Sequence, residues 1–263
     1  MIIQWKKYIF KINEIYGSPI PEKEIPKADV HAYFQQKNFI KTKKRMAIYK
    51  RAKTLCIDLT KSEAELRKEM NRTTRYQINK GGRDELSVEH IISPKNSEIE
   101  EFIEFFNPFA KEKDIELCRE DKVYALKESE NLIISNVYHK DHRKLASHLY
   151  MVDGKRATML YSCSGRFTAT DVPPLEIGRA NRFLHWQDIL FFQAEKFKTY
   201  DFLGLSLDKN DKAQQNINDF KKGFGGQEEI GYQSFIPQTK KGLLMMLLLK
   251  YKWRNQIERV IVK

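Results

Sequence analysis

The chain has 263 residues, 41% of them hydrophobic and 31% charged, with a net charge of +12. That supports one large core or two small ones. Lys6 and Lys7 interrupt the apolar residues of Met1 to Phe10, and the longest apolar run, Leu243 to Leu249, falls well short of the roughly 20 residues a spanning helix needs, so a secretory leader and a membrane span are not expected. The three cysteines (Cys56, Cys118, Cys163) show no CxxC spacing, which argues against a disulfide framework or structural zinc and fits a cytoplasmic location.

Taken in chain order, Trp5, Tyr8, Ile9, Ile12 and Ile15 sit at helical spacing and predict a helix over Ile2 to Tyr16, broken at Gly17-Ser18-Pro19. Pro19, Pro21 and Pro26 mark a linker, and the basic run Lys41 to Lys53 leads into a short strand at Thr54 to Leu59. Thr60 or Ser62 then caps one helix running to Gly81-Gly82, with Glu63 and Glu65 in its first turn. A strand at Leu86 to Ile92 and a helix from about Ser97 follow. Three strands come next, at Leu132 to Tyr138, Leu145 to Val152 and Ala157 to Cys163, the last two joined by the hairpin signal Asp153-Gly154. Arg179 to Lys198 returns to helical period, followed by a strand at Thr199 to Leu203, a short helix through Ile217 and Phe220, and a strand near Ile230 to Phe235. The order β-α-β-α-β-β-β-α-β-α-β predicts an α/β (α+β) fold: a mixed twisted sheet with helices on both faces.

The charge is uneven. Residues 1–53 carry 13 Lys/Arg against 4 Asp/Glu, residues 240–263 carry 7 against 1, and the body between is slightly acidic. The chain is therefore divided into a basic N-terminal helical extension and linker (1–53), a body (54–235) and a basic amphipathic tail helix (236–263). Two basic ends are either solvated or contact an anionic surface, a bilayer or an RNA backbone. In the tail, Lys240, Lys241, Lys250, Lys252 and Arg254 flank Leu243 to Leu249, with Trp253 where an interfacial aromatic sits. The segment either lies on a membrane or packs on the core.

Four strings in order carry a resemblance: IDLTKSEAELRKEMNRTTRYQINKG, SHLYMVDGKRATMLYSCSG, IGRANRFLHWQDILFFQAEKFKTYDFLGLS and INDFKKGFGG. Together they resemble the Fem-type (peptidoglycan bridge-forming) N-acyltransferases of the GNAT superfamily, over about Thr54 to Phe235. The resemblance implies a GNAT-like core in which two neighbouring strands splay apart around an acyl donor. It further implies transfer of an acyl group from acyl-CoA, or from aminoacyl-tRNA, to the amine of an amino sugar, peptide or lipid-linked precursor. The loop Ser164 to Gly178 is longer than the GNAT pyrophosphate turn and lacks its RxxGxG/A spacing, and no heptad-bearing insertion matches the coiled-coil arm of the tRNA-dependent members. A non-catalytic GNAT-like module that binds membrane or RNA is the reading from a different class.

Acyl transfer to an amine needs a proton path and a stabilised oxyanion. His185 is the candidate base, or else a packing residue. Asp201, at a strand's carboxyl end, either takes the acceptor's ammonium or orients a base, or braces the turn before Gly204. Lys221 matches the lysine of the family's FK motif and would stabilise the oxyanion or a donor phosphate, unless it is simply solvated. Arg179, Ala180, Asn181 and Arg182, expected at a helix N-terminus, form a candidate donor anion site with Tyr161 and Ser162, and Asn181 is alternatively a cap. Arg75 is the candidate acceptor-binding residue, or pairs with Glu69 or Glu85. His139, His142 and His148 lack an ordered carboxylate partner, so no metal is expected. Cys163 is either a nucleophile or a buried strand cysteine. No GxxxxGK[ST], HExxH or GxSxG occurs, which leaves ATPase, zincin and α/β-hydrolase chemistry without support.

Overall fold

The computed structural model describes residues 1–17, 20–169 and 171–261, so Ser18 and Pro19 of the expected break lie outside the described residues. The chain opens with a hairpin, not the expected helix. Strands β1 (Ile2–Lys7) and β2 (Phe10–Tyr16) pair antiparallel from Ile2↔Ile15 to Lys7↔Phe10, and Tyr8 turns the corner at a φ of 55°. Ile3 and Trp5 are the buried residues of β1, at alternate positions, whereas β2 is buried throughout except at Lys11, so strand pairing and not apolar period decides the structure here.

Two compact units are present, one gathering residues 1–54, 204–218 and 228–263, the other 55–203 and 219–227. In the first, β2 runs parallel to β3 (Val30–Gln36), which pairs antiparallel with β10 (Gln227–Pro237). Strand β11 (Arg259–Val260) pairs with the opening residues of β4 (Ile48–Asp58), so the strand expected at Thr54 starts inside the basic run. Helix α7 (Lys240–Lys252) completes the unit, capped by the Thr239 side chain.

In the second unit the single helix expected to follow Ser62 is two. Helix α1 (Glu63–Glu69) starts with a capping box from Ser62 and Glu65, and ends at Met70, whose ψ of 148° is extended. Asn71 then accepts from Thr74 N at 2.7 Å and caps α2 (Arg72–Gly81). Strands β5 (Ser87–Ile92), β6 (Leu132–Tyr138), β7 (Lys144–Val152), β8 (Arg156–Ser164) and β9 (Thr199–Asp201) join the end of β4 in the order β4-β9-β8-β7-β6-β5. All these pairs are antiparallel except β8 with β9. Helix α3 (Asn96–Glu112) packs on one face against Tyr161, and α5 (Pro174–Ala194) covers the other face over β6, β7 and β8. The short α4 (Glu120–Glu128) has no expected counterpart, and α6 (Lys212–Lys222) leads to the Gly-Gly turn before β10. At Gly226, φ is +83° and a Cβ would lie 2.5 Å from Cys56 O, so only glycine lets this turn close on the end of β4. A mixed sheet with helices on both faces is thus the observed α/β architecture.

Candidate active site

Strands β8 and β9 stay parallel for three pairs, Arg156↔Thr199 to Thr158↔Asp201. Strand β9 then ends while β8 continues to Ser164, with its register against β7 shifted between Leu149 and Tyr150. The strand pair therefore opens just beyond Asp201.

Beside this opening, α5 clamps a chain of buried polar groups against the sheet. Asp188, on α5, accepts from His90 Nε2 at 2.9 Å, His148 Nδ1 at 2.7 Å and Tyr150 Oη at 2.6 Å. Tyr150 Oη lies 2.8 Å from Tyr200 Oη, which lies 2.9 Å from His185 Nδ1. His90 is held flat on Phe191 at 4.1 Å. Donor direction fixes the protons along this chain. Tyr150 spends its single hydrogen on Asp188, so Tyr200 must donate to Tyr150, and His185 must donate to Tyr200 through Nδ1–H. His185 is thereby a neutral Nδ1–H tautomer whose Nε2 carries the lone pair.

The electrostatics agree. Burial opposes ionisation of Asp188, yet the hydrogen bonds and charge of His148 and His90 hold its carboxyl well below the usual carboxylate range. Burial first, then the neighbouring Asp188 charge, pushes the Tyr150 and Tyr200 hydroxyls far above the usual phenol range, so both stay protonated donors. Burial and the adjacent His148 hold His185 well below the usual imidazole range, and the cations of Lys221 and Arg182 act in the same direction. His185 therefore stays neutral, the state in which an imidazole can accept a proton, while burial and the neighbouring cations lower its affinity for that proton.

The other expected residues divide. Lys221, on α6, donates to Leu203 O at 2.7 Å, and burial lowers its ammonium to about 8 against the pull of Asp201. Asp201 pairs with Arg156 at 3.0 Å and accepts from Leu203 N at 2.8 Å, so it braces the turn as well as facing Lys221 electrostatically. Arg182 lies over the Phe220 ring at 4.6 Å, and that ring is 5.5 Å from His185. Ser162 is paired opposite His148 in the β7–β8 register, which puts it on the same face as the relay.

The positions expected for the donor- and acceptor-binding residues need correction, while at Cys163 the second of the two expected readings holds. Helix α5 begins at Pro174, so Arg179, Ala180, Asn181 and Arg182 lie inside it and not at its N-terminus. Its first turn holds Pro174, which has no N–H, and Glu176, which lies 3.5 Å from His139, so no phosphate cradle forms there. Arg179 pairs with Asp84, Ala180 is buried in the core with Leu145 and Leu184, and Asn181 is not a cap but accepts from His148 Nε2 at 2.9 Å. Tyr161 sits on the opposite face, against Phe102 and Phe106 of α3, and accepts from Arg119 N at 3.1 Å. Arg75 Nη1 donates to the carbonyls of Met70, Arg67 and Lys68 at 2.6, 3.2 and 3.3 Å, closing the end of α1. Cys163 is a buried strand cysteine whose thiol burial pushes far up, unsuited to attack. In a double-mutant cycle, Arg179→Ala and Asp84→Ala should couple by about 1–3 kcal/mol in stability while donor affinity stays unchanged. Thermal or denaturant unfolding with ligand titration checks both halves.

Sequence reasoning missed His90, Tyr150, Asp188 and Tyr200. The signal was present in SHLYMV, where His148 and Tyr150 alternate on one strand face, and in His185 and Asp188 three apart on one helix. His148, His185 and Asp188 also place ligand-type atoms within 4.8 Å of one another. The His148 and His185 rings stack at 4.1 Å and 28°, however, so their in-plane lone pairs run side by side instead of converging on one ion. The set is built as a hydrogen-bond chain and does not fit a metal cage.

No family model matches the sequence, and no curated protein matches it. Solved structures do. A crystal structure of FemX aligns at a TM-score of 0.63 and 13% identity, over 95% of this chain and 86% of that one. The C-terminal domain of a putative lysylphosphatidylglycerol synthetase from Agrobacterium fabrum aligns at 0.56 and 13%, over 96% and 84%. The structure of L-PGS from Bacillus licheniformis aligns at 0.51 and 10%, over 84% and 72%. At these identities the likeness concerns the fold, and the fold is GNAT-like.

Proposed function

We propose that the chain is an N-acyltransferase whose acyl donor, an acyl-CoA thioester, lies in the opening of β8 and β9, and whose acceptor is an amine on a cell-envelope or polysaccharide precursor. The observation that carries this reading is the relay from Asp188 through Tyr150 and Tyr200 to His185, which leaves His185 neutral at Nε2 and within the electrostatic reach of Lys221. The acceptor nitrogen attacks the thioester carbonyl carbon and a C–N bond forms. His185 Nε2 takes the nitrogen's proton, and the Lys221 ammonium faces the oxyanion. Collapse breaks the C–S bond, and the proton leaves with the thiolate. The imidazolium that forms transiently is offset by the Asp188 carboxylate, acting through the two tyrosine hydroxyls.

Aminoacyl-tRNA is the second donor reading, favoured by one observation: the first turn of α5 offers no diphosphate cradle. Single-turnover assays with acetyl-CoA and with charged tRNA, each against a panel of amino sugars, separate the two. We expect coenzyme A release that requires both acceptor and His185. Transfer from charged tRNA alone overturns the thioester donor, and transfer from neither overturns the enzyme reading.

A further inference from the structure

Helix α7 is apolar on two sides. Gly242, Met245 and Met246 form its buried stripe. Leu244, Leu247, Leu248 and Tyr251, spaced i, i+3, i+4 and i+7, form a second stripe on the outward side, each 50% to 71% exposed. An ordinary terminal helix that packs on a core turns charged residues to this side. Here the charges stand at the two ends, Lys240 and Lys241 before the leucines of the stripe, Lys250, Lys252 and Arg254 after them.

Within the first unit, Asp29 clasps the start of the helix. Asp29 accepts from Lys11 N through Oδ2 at 2.9 Å and from Thr239 Oγ1 through Oδ1 at 2.5 Å, and Thr239 in turn caps α7 by accepting from Gly242 N at 3.1 Å. The Asp29 carbonyl takes Gln238 N at 2.8 Å and comes so close to Gly242 that a Cβ there would lie 1.9 Å from it. Lys11 stands two residues past the tip of the β1–β2 hairpin, where Tyr8 and Ile9 are 85% and 67% exposed after Lys6 and Lys7. The same clasp thus puts a second exposed apolar and basic element at the end of the unit where α7 begins.

We propose that α7 docks on an anionic lipid bilayer, lying in the headgroup plane with its outward leucine stripe in the acyl boundary. Charge selects this occupant. Two copies meeting through α7 would bring like charges together at both helix ends, whereas anionic headgroups neutralise them. The stripe selects lipid over RNA, because Leu244, Leu247 and Leu248 offer a nucleic acid neither hydrogen bonds nor a stacking face and fit acyl chains, leaving Tyr251 alone able to stack on a base. The lysine stems reach past the stripe to phosphate while their methylenes stay apolar. This docking does not depend on which acyl donor the second unit uses, or on whether it is an enzyme.

Flotation of the full chain with vesicles of phosphatidylcholine alone, or with 30% phosphatidylglycerol, tests it. Binding is expected only to the phosphatidylglycerol vesicles, weakened at least tenfold between about 0.05 and 0.5 M salt. Leu244→Glu with Leu248→Glu should cut binding at least tenfold with an unchanged melting temperature, because both side chains already face water. Absent flotation, or flotation that the double variant leaves intact, overturns the proposal. So does a dimer that the double variant dissociates, or RNA binding that survives it without flotation.

Discussion

Asp188→Ala is expected to lower the stability of the second unit by about 3–5 kcal/mol, the cost of stranding buried polar partners of a removed charge. Asp188 is fully buried and accepts from His90, His148 and Tyr150 within 2.9 Å, and His148 and Tyr150 are themselves fully buried. Asp188→Asn keeps the shape and one acceptor oxygen, but turns an amide donor toward groups that are themselves donors, so it should fall between wild type and alanine. The two variants also differ from wild type in acid. The Asp188 carboxyl is depressed below its ordinary 3.8, so its contribution is complete above that value and is lost as pH falls toward the folded-state value. Chemical denaturation at a series of pH values from 7 downward should therefore show a wild-type slope below about pH 4 that the asparagine variant lacks. Equal slopes would mean that Asp188 is already protonated in the fold, and the proton order assigned to the relay would be wrong.

The body of the fold was legible because its strands and helices bury one clear face. Strands β6, β7 and β8 are apolar runs bounded by turn residues, and Asp153-Gly154 fixes the hairpin between the last two. Legibility failed where one pattern suits two structures. Ile2 to Tyr16 fits a helix as well as a hairpin, and only pairing of β2 with β3, eighteen residues on at Ile12↔Val30, settles it. Met70 and Asn71 break a helix that propensity alone would continue, because an asparagine cap outweighs one more turn. In the site, His185 and Lys221 were legible as titratable groups in family-like strings. Asp188, Tyr150 and Tyr200 were not, because each belongs to an apolar stretch and takes its role only from a partner on another element. Arg179 and Arg75 misled for the converse reason. Their charge suggests an anion ligand, but a nearby carboxylate and three backbone carbonyls already occupy them.

Lys221→Met should cut turnover by about 100-fold or more, in the range lost with a single oxyanion donor. The pH dependence tells whether that loss is catalytic. Burial lowers the Lys221 ammonium from its ordinary 10.5 to about 8 in the fold. If the ammonium faces the oxyanion, the rate constant at saturating substrate declines as pH rises through about 8, because the charge that stabilises the transition state is lost. Stability moves the opposite way. Between about 8 and 10.5 the unfolded chain holds a proton that the folded chain has released, so Lys221 makes stability rise with pH over that window. A lysine that served only the fold would improve matters as pH climbs, and activity would follow or stay level. Methionine keeps the packing and removes the proton, so in Lys221→Met both the falling rate limb and this part of the stability rise should vanish together. A rate limb near 8 that persists in the methionine variant assigns the titration to another group and takes Lys221 out of the transition state.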